Sequence, residues 1–209
     1  KMQEICKERF DIIIDFIGYN LSDSKKLINA LAINKRNPNI IFISTTYVYK
    51  NLKSKVAFRE SDFNPQLYKP HTNTEVNYES GKRECEYFYS SNYDKNKLLI
   101  LRLPIILGPK DYTGRTCFFI DYFKSGNTIP ELKNSGKANY VFSDDIVSFL
   151  DGCIQNFKSG ILNFARPNNM DQKDIAKLYY KFMGIKSNQH KNLDKDQLSP
   201  FFYEKNFKV

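Results

Sequence analysis

The segment "FDIIIDFIG" (10–18) is a short apolar run closed by glycine, the pattern of a strand buried on both faces in a parallel sheet. "LSDSKKLINALAINKRN" (21–37) follows with helical periodicity. Ser22 is its expected N-cap, and Leu27, Ile28, Leu31 and Ala32 form its apolar face. "NIIFISTTYVY" (39–49) is a second buried run that ends in small hydroxyl residues. Strand, helix and strand in this order predict a βαβ unit with parallel strands and a right-handed crossover.

Residues 50–76 are polar, contain Pro65 and Pro70, and read as a surface loop. A helix is expected over about Glu75 to Ser90. A third strand is expected over 97–109, broken by Pro104 and closed by Gly108-Pro109. A helix near 115–125 comes next, then a loop with Gly126 and Pro130. After that comes a helix capped by Ser143 or Asp144 whose apolar face is Ile146, Val147, Leu150 and Ile154. "GILNFA" (160–165) reads as a short strand, and a final helix ends at Gly184.

Composition narrows the choice little. The chain has 209 residues, 41% hydrophobic and 15% aromatic, enough for one globular domain with a small appendage. The net charge of +9 permits an anionic partner. Of 32 Lys+Arg only seven are Arg, so 25 are Lys, and they are scattered along the chain rather than striped. A nucleic-acid partner is therefore not expected. Cys6, Cys85, Cys117 and Cys153 stand far apart, and His71 and His190 are the only histidines. That spacing speaks against a zinc site or a disulfide framework and fits a reduced, cytoplasmic setting. No apolar run approaches the roughly 20 residues that a membrane span needs.

Candidate chemistry centres on Tyr78 and Lys82. A Tyr followed four residues later by Lys also occurs at Tyr49/Lys53 and Tyr93/Lys97. Those two pairs straddle element ends, whereas Tyr78 and Lys82 share an expected helix and hence one face, one turn apart. A phenol of pKa about 10 is a poor base at neutral pH, and a neighbouring ammonium lowers that value. Such a pair can take a proton from an alcohol, or give one to a carbonyl oxygen, while hydride moves at the same carbon. An exposed tyrosine beside a solvated lysine is the alternative, so context decides.

Several motifs in order supply that context: "IIDFIG", "IFISTTYVY", "YESGKRECE" with its trailing Glu86, "LILRLPIILGP", "YVFSDDI" and "GILNFA". Together they resemble the extended and atypical short-chain dehydrogenase/reductases, the NAD-dependent epimerase/dehydratase group, over about residues 10–185. "GPKDYTGR" is similar to the substrate loop of an atypical subgroup.

The resemblance implies an α/β fold. A Rossmann-type parallel sheet, incomplete at its N-terminus, would occupy 1–110. A small α+β substrate-binding part with return segments to the Rossmann core would occupy 111–209. It also implies NAD or NADP as cofactor and a nucleotide sugar as substrate. Tyr78 would be the general acid/base, and Lys82 would hold the nicotinamide ribose. Thr45 would hydrogen-bond the reacting sugar oxygen, with Thr46 also on the substrate side. Ser44 would line the nicotinamide pocket. Phe16, Ile17 and Gly18 would pass near the ribose and pyrophosphate, and Pro104 and Ile105 would face the carboxamide. Asp111 and Arg115 would stand in for the usual diphosphate contact, or form a surface ion pair. The family's habit implies a homodimer.

Departures from the family pattern leave rivals open. No G-x-G-x-x-G or G-x-x-G-x-x-G occurs in the 209 residues. The pyrophosphate turn is therefore expected to precede Lys1. Lys50 stands where the family has Gly, and Ile105 where many epimerases have a substrate-binding Asn. A non-enzymatic nucleotide- or RNA-binding protein on the same scaffold, and an inactive product, remain alternatives, because a scaffold does not choose its function.

Overall fold

The computed structural model describes residues 2–52, 57–70, 77–109, 111–114, 138–167 and 169–171, with single positions at 117, 120, 121, 124, 125, 174, 177, 178, 181 and 184. The chain divides into two compact units. The first comprises Lys1–Lys53, Phe58–Leu103 and Val147–Phe164, and the second Ser54–Ala57, Pro104–Ile146 and Ala165–Val209.

A four-stranded, all-parallel sheet forms the centre of the first unit, in the order β1 (Ile12–Asp15), β2 (Asn39–Thr45), β3 (Leu98–Leu103) and β6 (Gly160–Asn163). This is the expected Rossmann-type α/β arrangement. Register follows the apolar runs, with Ile13 opposite Ile40, Phe42 opposite Ile100 and Ile100 opposite Ile161. β2 and β3 are buried along almost their whole length, which is why they read as unbroken apolar runs. Ile12, Ile13 and Ile14 of β1 are only half-buried, contrary to expectation, because β1 lies at the sheet edge with β2 as its one partner among the described residues.

A four-residue helix, α1 (Met2–Ile5), precedes β1. Helix α2 (Leu21–Ile33) begins two residues earlier than the reading of Ser22 as cap implies: Asn20 is the N-cap, its side chain accepting from Asp23 N–H. Leu27, Ile28 and Leu31 are buried as expected, but Ala30 takes the place assigned to Ala32. Helix α3 (Tyr78–Asn92) is capped by Asn77, so Tyr78 is its first residue rather than an interior one. Cys85 and Tyr89 of α3 join Leu27, Ile28, Leu31, Ile40, Phe42, Leu98 and Ile100 in one core cluster.

The segment expected as one strand over 39–49 splits. β2 stops at Thr45, whose side chain accepts from Tyr47 N–H and curls Thr46–Tyr49 into a 3-10 turn. The expected strand 97–109 also splits at Pro104, which lacks an N–H to donate. Beyond it, β4 (Ile105–Leu107) pairs in parallel with β5 (Tyr140–Phe142) in the second unit.

α4 (Ser143–Gln155) follows β5 directly. Its buried residues include Ile146, Leu150 and Cys153, while Val147 and Ile154, placed on the apolar face by sequence, are exposed. The described positions 117, 120, 121 and 124, and later 174, 177, 178 and 181, are helical where helices were expected, and Gly184 has the left-handed φ of a helix terminator.

Candidate active site

The carboxyl ends of parallel strands are where open α/β sheets gather ligands. In the first unit β1 ends at Asp15 and β2 at Thr45, and the amino end of α3 carries Tyr78 and Lys82.

Lys82 is 2% exposed. Its Nζ donates to the Ile43 carbonyl at 2.8 Å and lies 4.9 Å from the Tyr19 ring centroid and 4.8 Å from that of Phe42. Burial pulls its pKa below the usual lysine value, while nearby Cys85, Asp15, Glu86 and Asp23 push the other way. Tyr78 is 47% exposed, and its ring lies 6.3 Å from Tyr19 and 6.0 Å from Tyr47. A phenol open to solvent thus sits one helical turn from a buried ammonium.

Thr45 is buried at the end of β2 and accepts from Tyr47 N–H at 3.2 Å, which leaves its hydroxyl proton for another acceptor. Thr46 is buried in the 3-10 turn that follows. Ser44 points the opposite way from Thr45, as alternation requires, and donates to Glu86 Oε1 at 2.5 Å. Phe16 and Ile17 are exposed and Gly18 is buried. The amides of Ile17 and Gly18 both donate to Asp15 Oδ1, at 2.9 and 3.0 Å, so neither is free to cradle a phosphate.

The remaining expected site residues belong to the second unit. Pro104 is half-buried between β3 and β4. Ile105 N–H donates to the Asn139 carbonyl at 3.3 Å, so that donor is already engaged. Asp111 organises its own loop, accepting from Thr113 N–H at 3.0 Å and from the Thr113 hydroxyl. Arg115 lies outside the described residues.

Two features were missed by sequence reasoning. Asp15 receives, besides the two amides, the Tyr89 hydroxyl on Oδ2 at 2.6 Å. Arg102, 0% exposed, forks onto Glu86 through Nε at 3.0 Å and Nη2 at 2.6 Å. It also donates to Tyr49 Oη and to the carbonyls of Glu60 and Phe63. Burial alone would pull its pKa down, but the bond and charge of Glu86 more than offset this. The signal was available: a charge inside an apolar strand run, as in "IIIDFIG" and "LLILRLP", requires a built partner.

An ammonium and a phenol one helical turn apart are groups of the kind that can hold a ribose hydroxyl and exchange a proton with an alcohol. The turn after β1 is not built as a pyrophosphate cradle, since it spends two of its amides on Asp15.

No family model matches the chain, and no curated protein matches it. Solved structures do match. The chain is similar to a dTDP-glucose 4,6-dehydratase from Bacillus anthracis in complex with NAD, at TM-score 0.67 and 14% identity, with 91% of this chain covered. It is similar to a UDP-glucose 4-epimerase from Thermotoga maritima with UDP-glucose, at TM-score 0.64 and 15% identity over 92% of this chain and 69% of that one. It is also similar to a UDP-glucuronic acid 4-epimerase from Bacillus cereus in complex with UDP-glucuronic acid and NAD, at TM-score 0.62 and 16% identity over 91% of this chain and 64% of that one. The chain spans 65% of the length of the dehydratase. At these identities the likeness is one of fold: the protein has the Rossmann-type α/β architecture of NAD-dependent nucleotide-sugar epimerases and dehydratases.

Proposed function

We propose that this protein is an NAD(P)-dependent epimerase, dehydratase or reductase acting on a nucleotide-activated sugar. One observation carries the reading. Tyr78 and Lys82 stand one turn apart at the amino end of α3, the phenol exposed and the ammonium buried against the carboxyl end of β2. The fold neighbours, several bound to NAD or a nucleotide sugar, support the same reading. Residues 1–110 would serve the dinucleotide. Residues 111–209 would serve the sugar nucleotide, with the Arg115 guanidinium as the group for its diphosphate, and the working unit would be a homodimer.

Bound NAD(P) would supply the hydride acceptor and donor. Tyr78, as phenolate, takes the proton from the reacting hydroxyl, becomes the neutral phenol, and returns the proton when the carbonyl is reduced. Lys82 favours the phenolate by its charge and can donate to ribose hydroxyls, since one of its three N–H donors is spent on Ile43. Thr45 orients the sugar oxygen with its remaining proton. Ser44, bonded to Glu86, shapes the wall behind them.

The test uses the full protein with NAD+ or NADP+ and a panel of UDP- and dTDP-sugars, following the sugar by NMR. Wild type should convert at least one of them, and Tyr78→Phe should lower kcat by about 10²–10⁴-fold with the dinucleotide Kd nearly unchanged. No conversion across the panel, or equal turnover by the Phe variant, rejects the reading.

A further inference from the structure

Asp15 ends β1 with 6% exposure, and its two carboxylate oxygens serve two different elements. Oδ1 accepts the amides of Ile17 and Gly18, holding the turn between β1 and α2. Oδ2 accepts the hydroxyl of Tyr89, 74 residues away on α3, at 2.6 Å. Tyr89 is 0% exposed and lies two turns beyond Lys82 on the same helix face. The Phe42 ring fills the space between them, its centroid 5.0 Å from that of Tyr89 and 4.8 Å from Lys82 Nζ. Space at the turn is closed as well. A Cβ on Gly18 would stand 2.7 Å from Asp15 Oδ2 and 2.9 Å from Phe42. An Asn could hold the turn alone, and a carboxylate with both oxygens occupied does more than that.

We infer that Asp15 is a positioning residue that clasps the β1–α2 turn to the face of α3 that carries Lys82, acting through Tyr89. Under the functional reading above, on which this consequence rests, the turn bearing Phe16 and Ile17 is one wall of the dinucleotide site and Lys82 is another. One carboxylate then sets their separation. Burial of Lys82 makes the same acid useful a second way, since its charge helps keep the ammonium protonated.

The clasp is tested in the full protein with Tyr89→Phe, which removes only the reaching hydroxyl, and with Asp15→Ala and Asp15→Asn. Amide hydrogen exchange reports the turn, NAD+ and NADP+ titration reports the site, and thermal melting reports general stability. Tyr89→Phe should speed exchange at Ile17 and Gly18 about fivefold and Asp15→Ala about tenfold, as loss of shared hydrogen bonds predicts. Asp15→Asn, whose Oδ1 still accepts, should recover most of the protection. Dinucleotide Kd in Tyr89→Phe should rise about fivefold at temperatures far below melting. Unchanged exchange at both amides in Tyr89→Phe overturns the clasp. A lower melting temperature with unchanged Kd overturns its role in positioning and leaves it structural. If wild type binds neither dinucleotide, the functional reading fails by itself, and the exchange rates still decide whether Asp15 couples turn and helix.

Discussion

Replacing Arg102 with Met should remove about 4 kcal/mol of stability, and the size of that loss follows from what the guanidinium touches. Glu86 is 0% exposed and receives three contacts from Arg102, at 3.0, 3.3 and 2.6 Å, plus the Ser44 hydroxyl. Met fills similar volume but strands that carboxylate with Ser44 as its remaining neighbour in the network. Breaking a buried pair in this way costs about 3–5 kcal/mol. The carbonyls of Glu60 and Phe63 lose a donor as well, for at most about 1–3 kcal/mol each if water does not reach them. Against a typical total of about 5–15 kcal/mol, that is a large share of the stability. The double variant Arg102→Met/Glu86→Met removes both charges and should be more stable than the sum of the singles by at least about 2 kcal/mol. Lys26–Asp23 is the control. Its side chains are 66% and 31% exposed, and Lys26→Met should cost below about 1 kcal/mol. Urea unfolding followed by circular dichroism measures wild type, both single variants, the double variant and the control. If Arg102→Met costs less than about 1 kcal/mol, or the two single losses simply add, the network is not what ties α3 to β2 and β3.

Alkaline stability should fall above pH 9. Burial pushes the Cys85 thiol up to about 12 from 9.0, and burial and the Asp15 charge push Tyr89 up as well. Groups raised in the folded state contribute stability that is complete below their unfolded pKa and is lost as pH rises through the folded one. Each costs about 1.4 kcal/mol per pH unit in that window. Lys82, shifted down, opposes this with a single proton. Urea midpoints at pH 9, 10 and 11 should therefore decline, less steeply in Cys85→Ala, and equal slopes would reject the assignment. Gly18→Ala, which forces a Cβ to within 2.7 Å of Asp15 Oδ2, should destabilise by about 1–3 kcal/mol on the same assay. A neutral result there would mean that the turn shifts freely.

Much of the first unit could be read from the chain because its elements bury whole faces. β2 and β3 are apolar at nearly every position, and only strands covered on both sides need that. Periodicity likewise located α2 and α3. Errors fell where a single polar atom set a boundary. Asn20, not Ser22, caps α2, and the Thr45 hydroxyl turns the expected strand into a 3-10 turn at Thr46. Both Ser and Asn are good caps, so propensity could not choose between neighbours. In α4 the inferred face was rotated because Cys153, a small buried thiol, counted for less than Val147 and Ile154 in the pattern. Of the candidate site, the Tyr78/Lys82 spacing was visible at once. The buried pairs around it were not, since Asp15 with Tyr89 and Arg102 with Glu86 are separated in sequence and meet only when the sheet forms.

The course of α3 accounts for much of what the proposed chemistry needs. Tyr78, Lys82 and Glu86 recur at four-residue intervals, and their exposure falls from 47% to 2% to 0% along the helix. This face of the helix therefore carries three ionisable groups at different exposures. Tyr78 stands at the first helical position, and in the proposed chemistry the unsatisfied amides of the helix start would favour its phenolate. Glu86 is the group that would work against this, because an unpaired carboxylate one turn behind Lys82 would attract the ammonium away from the site. The fork of Arg102 engages both of its oxygens, and Ser44 adds a further donor to Oε1. Lys82 instead bonds the Ile43 carbonyl, at the carboxyl end of β2. Under the proposed function the Arg102–Glu86 pair would thus support the site as well as the core. Glu86→Gln and Arg102→Met should both disturb the Lys82 environment even in molecules that stay folded.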